Sequence, residues 1–507
     1  MTGELSAAAD DVANTDALSP LIGAAIMGLI TAGMYDNPLA LYREYIQNAA
    51  DAVVADGCAL RGIVEIDIDP QGRRVRIRDD GPGLSHEAAV RALVPVARSQ
   101  KRRGLDRGFR GIGRLAGLAF AESVRFTTRA RGDGTMTRIT WDGHKLRSNY
   151  VGTERMEGGV DECVRIETAM AGQRPDHFFE VEIEGIGRHV AGMVLNREAV
   201  RSYIGEVCPV PFSTEFPFAS EVGNLLTREA RPLNLNVVIK GEENSVTRRH
   251  GKSILFAKER ESYYTELETI RIPALDGERS AAVGWIAHTP YLGAIPKDEG
   301  VRGIRARYGN IQVGDESVFD RLFKEDRFNR WCVGEMHVVD PRIVPNGRRD
   351  YFEIGPHLRH LENQLGPVVQ AIAARCRKAS LARNRERKLL EDLCHVEDAC
   401  DLAATGYLAR EDAEALAASA MQQAGDVRRS IASSNSDVNA YLGRLNVVES
   451  RLGDLQMRPA ESVFGDVSAV EVTAYQRAFQ ALAAVSRSPR AARELIESVL
   501  ARAQLHG

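Results

Sequence analysis

Three polar residues near the N-terminus have the spacing of side chains on one face of a helix. Glu44, Asn48 and Asp51 lie within the segment REYIQNAADA, and residues four and seven apart project from the same side of an α-helix. A carboxylate there can orient and deprotonate a water molecule, and an amide oxygen can bind a hard cation such as magnesium. Taken alone, the three residues are more typical of a solvated polar stripe.

A second candidate segment, RDDGPGL, directly follows a strand-like run. In it Asp79 precedes two glycines, Gly81 and Gly83. Glycines let the backbone approach a ligand closely, and an aspartate can accept a hydrogen bond from an exocyclic amine. The alternative interpretation is a plain turn that closes a hairpin.

The third segment, RGFRGIGR, contains Gly108, Gly111 and Gly113 ahead of a predicted helix. Backbone N–H groups exposed by such glycines attract an anion, and the helix dipole adds to the attraction. The preceding basic stretch RSQKRR, which includes Lys101, is polar enough to fold over phosphates as a lid. As an isolated feature this segment also fits a solvated loop.

Together, the order and spacing of the three segments resemble the GHKL superfamily, which comprises gyrase, the ninety-kilodalton heat-shock chaperone, histidine kinases and the mismatch-repair ATPase. Residues 26–52 are especially similar to the start of the heat-shock chaperone. The resemblance implies an α/β sandwich that binds ATP and Mg²⁺ and hydrolyses ATP to ADP and phosphate.

The resemblance also implies a role for each residue. Glu44 is the general base, Asn48 holds magnesium, and Asp79 contacts the adenine amino group. The other implied nucleotide contacts come from the glycine segments and the lid: Gly81, Gly83, Lys101, Gly108, Gly111 and Gly113. The chain departs from the family in one place. Where the family usually has a Gly-Thr pair before its last core strand, residues 176–180 read DHFFE, so that role is unassigned.

Residues 338–350, VVDPRIVPNGRRD, are similar to the chaperone's middle domain, in which an arginine reaches the γ-phosphate. The alignment needs a one-residue gap, which makes Arg349 the candidate and Arg348 the near alternative. A cation delivered from a second domain makes hydrolysis depend on domain closure. The other interpretation is that both arginines are ordinary surface cations.

Other branches of the superfamily are less favoured. Histidine kinases place a phosphoacceptor helix before the ATPase domain, whereas here the ATPase segments come first. His395 lies in a helical, acidic context that is more typical of a structural or exposed histidine. Lys297 is a minor candidate for the catalytic lysine of gyrase-like and mismatch-repair enzymes.

The elements that must position these residues follow from the apolar periodicity. We predict a flexible tail over 1–18, a GHKL α/β domain over 19–215 with helices on one face of a mixed sheet, a second α/β segment over 216–355, and an all-helical region over 356–507. A helix starts at Asn37-Pro38, and the alternation from Ile63 to Ile77 predicts a hairpin. The leucine and valine stripe over 438–455 predicts an amphipathic helix or a short coiled coil.

Composition excludes several classes of protein. With 44% hydrophobic and 27% charged residues among 507, the chain is not wholly disordered. A net charge of −4 lacks the overall basic character of a nucleic-acid binder, although a local basic surface remains open. Seven cysteines without a CxxC motif indicate neither a zinc site nor a disulfide framework. The longest apolar run, 21–34, is too short to span a bilayer. Because the cysteines indicate no disulfide framework, a reducing cytoplasm is the expected location.

The main hypothesis is therefore a chaperone-like conformational ATPase. It forms a homodimer through its N-terminal domains when ATP binds and remodels an unidentified protein partner through its helical region. The alternative is a clamp similar to the MORC family that acts on nucleic acid, with basic surfaces over 98–110 and 375–388, and has a role in bacterial antiphage defence. A third hypothesis is a nucleotide-binding scaffold with little turnover.

Overall fold

The computed structural model describes residues 37–55, 62–95, 113–148, 160–256, 260–432, 438–457, 463–464 and 467–503. The chain divides into two compact units, Met1–Cys376 and Arg377–Gly507. The division falls inside a long helix, later than the boundary after residue 355 that the sequence predicts.

The first unit begins with an α/β sandwich, as predicted. Its helices are α1 (Ala40–Ala55), α2 (His86–Leu93), α3 (Gly143–Ser148), α4 (Arg188–Val194) and α5 (Arg197–Val207), with short 3-10 helices at Gly113–Ala119 and Val160–Cys163. Its strands are β1 (Ile63–Asp69), β2 (Arg74–Asp79), β3 (Ser123–Arg129), β4 (Thr135–Asp142), β5 (Val164–Met170), β6 (Phe178–Glu184) and β7 (Asn236–Ile239).

The seven strands form one sheet in the order β5-β4-β3-β6-β2-β1-β7. Neighbouring strands are antiparallel except for β1 and β7, which are parallel. Alternate residues of β1 are buried, and they share one core with apolar residues of the helices. The other residues of β1 and β2 leave charges such as Glu65 and Arg78 on the opposite face. The predicted sandwich, with helices on one face of a mixed sheet, is confirmed.

Local signals explain where the first elements begin and turn. The side-chain oxygen of Asn37 accepts a hydrogen bond from the N–H of Leu39 at 2.9 Å, which caps the start of α1. The turn between β1 and β2 is closed by the carboxylate of Asp69, which accepts from the N–H of Gly72 at 2.9 Å. The predicted helix start and hairpin are both present.

A second sheet follows in the same unit. In chain order it is preceded by α6 (Ala219–Glu229) and by a two-stranded sheet of β8 (Ser253–Phe256) and β9 (Arg260–Tyr263). The sheet itself contains β10 (Glu266–Pro273), β11 (Ser280–His288), β12 (Gly303–Tyr308), β13 (Ile311–Val313) and β14 (Val333–Val338), in the order β10-β11-β14-β12-β13. The strand predicted over 233–239 as part of this second segment instead pairs with β1, because its alternating apolar residues extend the first core.

The second unit is helical in its described residues, as predicted. It contains the later part of α7 (Pro356–Ala403), followed by α8 (Arg410–Ala432), α9 (Val438–Met457), α10 (Ala469–Val485) and α11 (Pro489–Ala503). The predicted apolar stripe lies on α9, where Leu445, Val448 and Leu452 are buried against α7 and α8. The stripe therefore packs within the chain. In the described part of the chain, no helix is long and apolar enough to cross a membrane.

Candidate functional site

Two buried tyrosines fix the position of helix α1. The hydroxyl of Tyr42 donates to the carbonyl oxygen of Val194, at the end of α4, at 2.8 Å. The hydroxyl of Tyr45 donates to the carbonyl oxygen of Arg114 and accepts from the N–H of Gly117, both at 3.0 Å. These bonds hold the 3-10 helix that follows the third glycine segment against α1.

Glu44 lies on α1 beside the start of that 3-10 helix. Its side chain is largely buried, and one carboxylate oxygen forms an ion pair with Arg43 at 2.9 Å. The other oxygen faces Gly113 so closely that a Cβ atom built on this glycine would lie 2.1 Å from it. Only a residue without a side chain lets the backbone approach the carboxylate in this way.

The same face of α1 continues to the second glycine segment. Asn48 is half-buried one turn after Glu44, and Ala52 follows after another turn. A Cβ atom built on Gly81 would lie 3.4 Å from the Cβ of Ala52. Eight residues at a rise of about 1.5 Å place the two ends of this face roughly 12 Å apart. Helix α1 therefore brings Gly113, at one end, and Gly81, at the other, to a single elongated site.

Asp79 closes the second end of the site. It is the last residue of β2, is 6% exposed, and accepts a hydrogen bond from the N–H of Gly81 at 3.0 Å. Burial raises the pKa of Asp79 to about 7, while the bond from Gly81 opposes that shift. One oxygen of the carboxylate is held by the protein backbone, so the carboxylate has a fixed orientation.

The turn after Asp79 is packed against the ends of two neighbouring strands. Gly83 has a φ of +67°, and a Cβ atom at this position would lie 1.8 Å from the carbonyl oxygen of Arg129. The N–H of Leu84 donates to the hydroxyl of Thr128 at 2.8 Å, and that hydroxyl donates to the carbonyl oxygen of Phe178 at 3.1 Å. Sequence reasoning missed Thr128, since nothing in a strand-like run marks one threonine as a support for a distant turn.

The segment where the family's Gly-Thr pair is absent also contacts this turn. His177 directly precedes β6, and its Nδ1 lies 2.8 Å from the carbonyl oxygen of Gly81. The neighbouring Asp176 lies 3.7 Å from the guanidinium of Arg129. Where the family has its Gly-Thr pair, this chain therefore has an imidazole beside the turn that follows Asp79.

The segment that follows β14 contributes an arginine near Glu44, at the opposite end of the site from Asp79. Arg349 is buried and has a left-handed backbone conformation, with a φ of +59°, which is uncommon outside glycine. Burial lowers its pKa, whereas the negative charges of Glu44 and Asp51 raise it and the positive charge of Arg43 lowers it. Within the described part of the chain, its Nη1 has no hydrogen-bond partner. The neighbouring Arg348 is exposed.

A buried cluster of charges joins the second sheet to α5. Arg307 on β12 donates to a carboxylate oxygen of Glu335 on β14 at 2.6 Å and to the backbone oxygen of Glu206 on α5 at 2.7 Å. Arg305 donates to the carboxylate of Glu206 at 3.2 Å. Arg248 pairs with the same glutamate of β14. Removing one member would leave an uncompensated buried charge, which is strongly destabilising.

Part of the chain is similar to known proteins. Residues 40–162 match the family described as histidine kinase-, DNA gyrase B-, and HSP90-like ATPase. The chain carries a GHKL domain. A DNA mismatch repair protein MutL of Geobacter sulfurreducens is 30% identical over 223 residues, which cover 41% of this chain and 33% of that protein. A chaperone protein HtpG of Halorhodospira halophila is 26% identical over 161 residues, which cover 27% of this chain and 25% of that protein.

The alignments span about a third or less of the length of these relatives. GHKL domains as a family bind ATP and typically Mg²⁺. The donor set on α1 fits that cation, because Mg²⁺ keeps several waters and uses few protein ligands together with phosphate oxygens. The side chain of Asn48 carries an amide oxygen of the kind that binds Mg²⁺. In the described residues no group of three His, Cys, Asp or Glu side chains is arranged as a separate metal site.

Five other candidate residues follow from the sequence. Lys101, Gly108 and Gly111 lie outside the described residues. Lys297, the alternative catalytic lysine, is exposed and lies 3.8 Å from a carboxylate oxygen of Glu316. His395, the alternative phosphoacceptor, is exposed on α7 in the second unit.

Proposed function

We propose that this protein is a Mg²⁺-dependent conformational ATPase that binds and hydrolyses ATP. The observation that carries the proposal is the buried Arg349, whose unpartnered Nη1 lies in the field of Glu44 and Asp51 although the residue lies far along the chain, after β14. An unpaired buried donor of a charged group is costly, and an anion such as the γ-phosphate compensates that cost.

Each end of α1 has a separate task in this proposal. Glu44 orients and deprotonates the attacking water, and Asn48 holds Mg²⁺, which neutralises phosphate charge when bound. Gly113, together with Gly108 and Gly111, cradles the phosphates, and Lys101 belongs to the lid. Arg349 stabilises the charge that develops on the transferred phosphoryl group.

Asp79 accepts a hydrogen bond from the adenine amino group at the other end. Gly81 and Gly83 give the pocket its shape, because their backbone lies where any side chain would collide with Asp79 or with the strand ends. The fixed orientation of the carboxylate supports this role, since one of its oxygens is already engaged by the N–H of Gly81.

At the level of the whole protein, we propose that ATP drives two N-terminal domains together, and that the cycle remodels a protein partner through the helical unit in the cytoplasm. The similarity of residues 338–350 to the chaperone's middle domain and the relatedness to HtpG support this proposal. Size measurement with and without a non-hydrolysable ATP analogue tests it. An unchanged molecular mass would count against ATP-driven dimerisation.

Steady-state ATPase activity tests the chemistry. We expect Glu44→Ala to lose nearly all turnover while it still binds ATP, because the residue acts on water and not on adenine. Asp79→Asn should instead weaken binding itself, by up to ~3 kcal/mol if a buried hydrogen bond to a charged group is lost. Wild-type turnover in Glu44→Ala would eliminate the proposed base.

A second candidate function is a nucleic-acid clamp of the MORC type, and a basic segment of α7 favours it. Residues 377–388 contain six Lys and Arg and one Glu. Lys378, Arg385 and Lys388 are exposed at spacings of seven and three, which place them on one helix face. The relatedness to MutL, whose name describes DNA mismatch repair, adds support.

The salt dependence of DNA binding separates the two candidates. If the basic face binds phosphates, affinity should fall steeply as salt rises, and the slope should decrease by about one for each cation removed. Neutralising Lys378, Arg385 and Lys388 to glutamine should then reduce both affinity and slope. An absence of binding at low salt would end the clamp proposal.

A further inference from the structure

We propose that His177 is a positioning residue for the adenine end of the site, a role that rests on the proposed binding of ATP. The imidazole stands where the chain departs from the family's Gly-Thr pair, and it contacts the turn between Asp79 and Gly83 across 96 residues of sequence. It acts through the backbone of Gly81.

The direction of the hydrogen bond follows from its acceptor. The carbonyl oxygen of Gly81 can only accept, so the Nδ1 of His177, 2.8 Å away, carries the hydrogen and donates it. The N–H of the same glycine donates to Asp79 at 3.0 Å. Both polar groups of Gly81 are therefore engaged, the carbonyl by the imidazole and the N–H by the carboxylate.

This arrangement links the histidine to the orientation of the carboxylate. Because Gly81 has no side chain, and a Cβ built there would lie 2.7 Å from Asp79, the glycine has little steric restraint of its own. The bond from His177 fixes the plane of the peptide group that follows Gly81. That restraint keeps the N–H of Gly81 aimed at Asp79, and so keeps the other carboxylate oxygen in one direction.

A second support holds the far end of the turn independently. The hydroxyl of Thr128 accepts from the N–H of Leu84, and the N–H of Arg131 donates to the carbonyl oxygen of Pro82 at 3.2 Å. These contacts keep the turn folded when the bond from His177 is lost. The loss should therefore loosen the geometry at Asp79 without unfolding the domain, and it should affect nucleotide affinity more than the chemical step at the other end of α1.

Three substitutions of His177 in the full-length protein test the role. His177→Ala removes the donor. His177→Asn keeps an N–H donor two bonds beyond Cβ, as in the imidazole Nδ1, whereas His177→Gln places it one bond further out. For each variant we would measure the Kd for ATP and ADP, the KM and kcat of ATP hydrolysis, and the Tm.

We expect His177→Ala to raise the Kd for ATP and ADP about tenfold, as the loss of one hydrogen bond predicts, with kcat at saturation within about twofold of wild type. His177→Asn should restore affinity to within about threefold, and His177→Gln should remain weak. Wild-type affinity in His177→Ala, equal rescue by Asn and Gln, or a loss confined to kcat would each overturn the proposal.

Wild-type protein and Asp79→Asn separate this inference from the proposed function. If wild type does not bind adenine nucleotides, the proposed function fails, and this inference fails with it. If wild type binds ATP and Asp79→Asn weakens it while His177→Ala does not, only the role of His177 is refuted. A fall in Tm of His177→Ala that His177→Asn reverses without restoring affinity would also refute it, because the residue would then be merely structural.

Discussion

Replacing Gly113 by alanine should displace the carboxylate of Glu44 with little effect on the fold. The new methyl group would lie 2.1 Å from a carboxylate oxygen, and contacts under 3.0 Å are essentially never seen, so the two must separate by about 1 Å. The carboxylate is the free end of a flexible side chain, so it can move at small cost. A misplacement of about 1 Å in a catalytic arrangement lowers the rate roughly 10²-fold.

The assay compares turnover with binding and stability. We expect the kcat of Gly113→Ala, measured by phosphate release, to fall about 10²-fold while Tm stays close to that of wild type. Gly134→Ala is a matched control in the same domain, because a Cβ at residue 134 would meet nothing within 4 Å. It should leave kcat and Tm unchanged.

A double-mutant cycle decides whether Gly113 acts through Glu44. If it does, Gly113→Ala should cause no further loss of turnover in a Glu44→Ala background, since coupled residues are not additive. An additional 10²-fold loss would refute the steric argument. A weaker Kd for ATP at normal kcat would instead assign Gly113 to phosphate binding alone.

Three further outcomes follow from the same site. Arg349→Ala should lower kcat by about 10²–10³-fold, because a donor to the developing charge is lost. The kcat of Arg348→Ala, at an exposed residue, should stay within about twofold of wild type. Equal effects of the two substitutions on kcat would refute the assignment. Because burial raises the pKa of Asp79 to about 7, the ionised form is lost as pH falls through 7. The affinity for ATP should therefore fall more steeply below pH 7 in wild type than in Asp79→Asn, which retains only the titration of the nucleotide phosphates. Gly83→Ala should destabilise the domain by about 3 kcal/mol or more in chemical denaturation, because φ is +67° and the methyl meets the backbone of Arg129; a change under about 1 kcal/mol would contradict this.

Much of the first domain could be predicted because its signals are local. The asparagine cap before α1 and the alternation through β1 and β2 involve residues that are neighbours in sequence. The pairing of β7 with β1 could not be predicted, since four apolar-patterned residues carry no information about which sheet they join. The same limit applies to α9, whose stripe fits a coiled coil as well as the helical core in which it lies.

The candidate site, too, could be predicted from the sequence only in part. Three motifs predicted one nucleotide site, because family resemblance relates their order and spacing to contacts that are distant in sequence, and the structure places Glu44, Gly113 and Gly81 along α1. Arg348 and Arg349 are the same residue type, so the sequence does not reveal that Arg349, which has a left-handed backbone, is buried while Arg348 is exposed. His177 and Thr128 were not assigned, because their partners are backbone groups of a turn far away in the chain, and a backbone group has no sequence signature.

The geometry of α1 suggests why glycine occurs at both ends of the site. Buried tyrosines fix the helix, and it offers three successive turns on one face: Glu44, Asn48 and Ala52. At each end another backbone segment must come within contact of this face, and a side chain would collide with Glu44 at residue 113 and with Asp79 at residue 81. Glycine therefore lets the backbone approach the carboxylate of Glu44 at residue 113 and that of Asp79 at residue 81. In the proposed function, these two glycines therefore influence where each carboxylate points, at the phosphate end and at the adenine end, without contributing a functional group of their own.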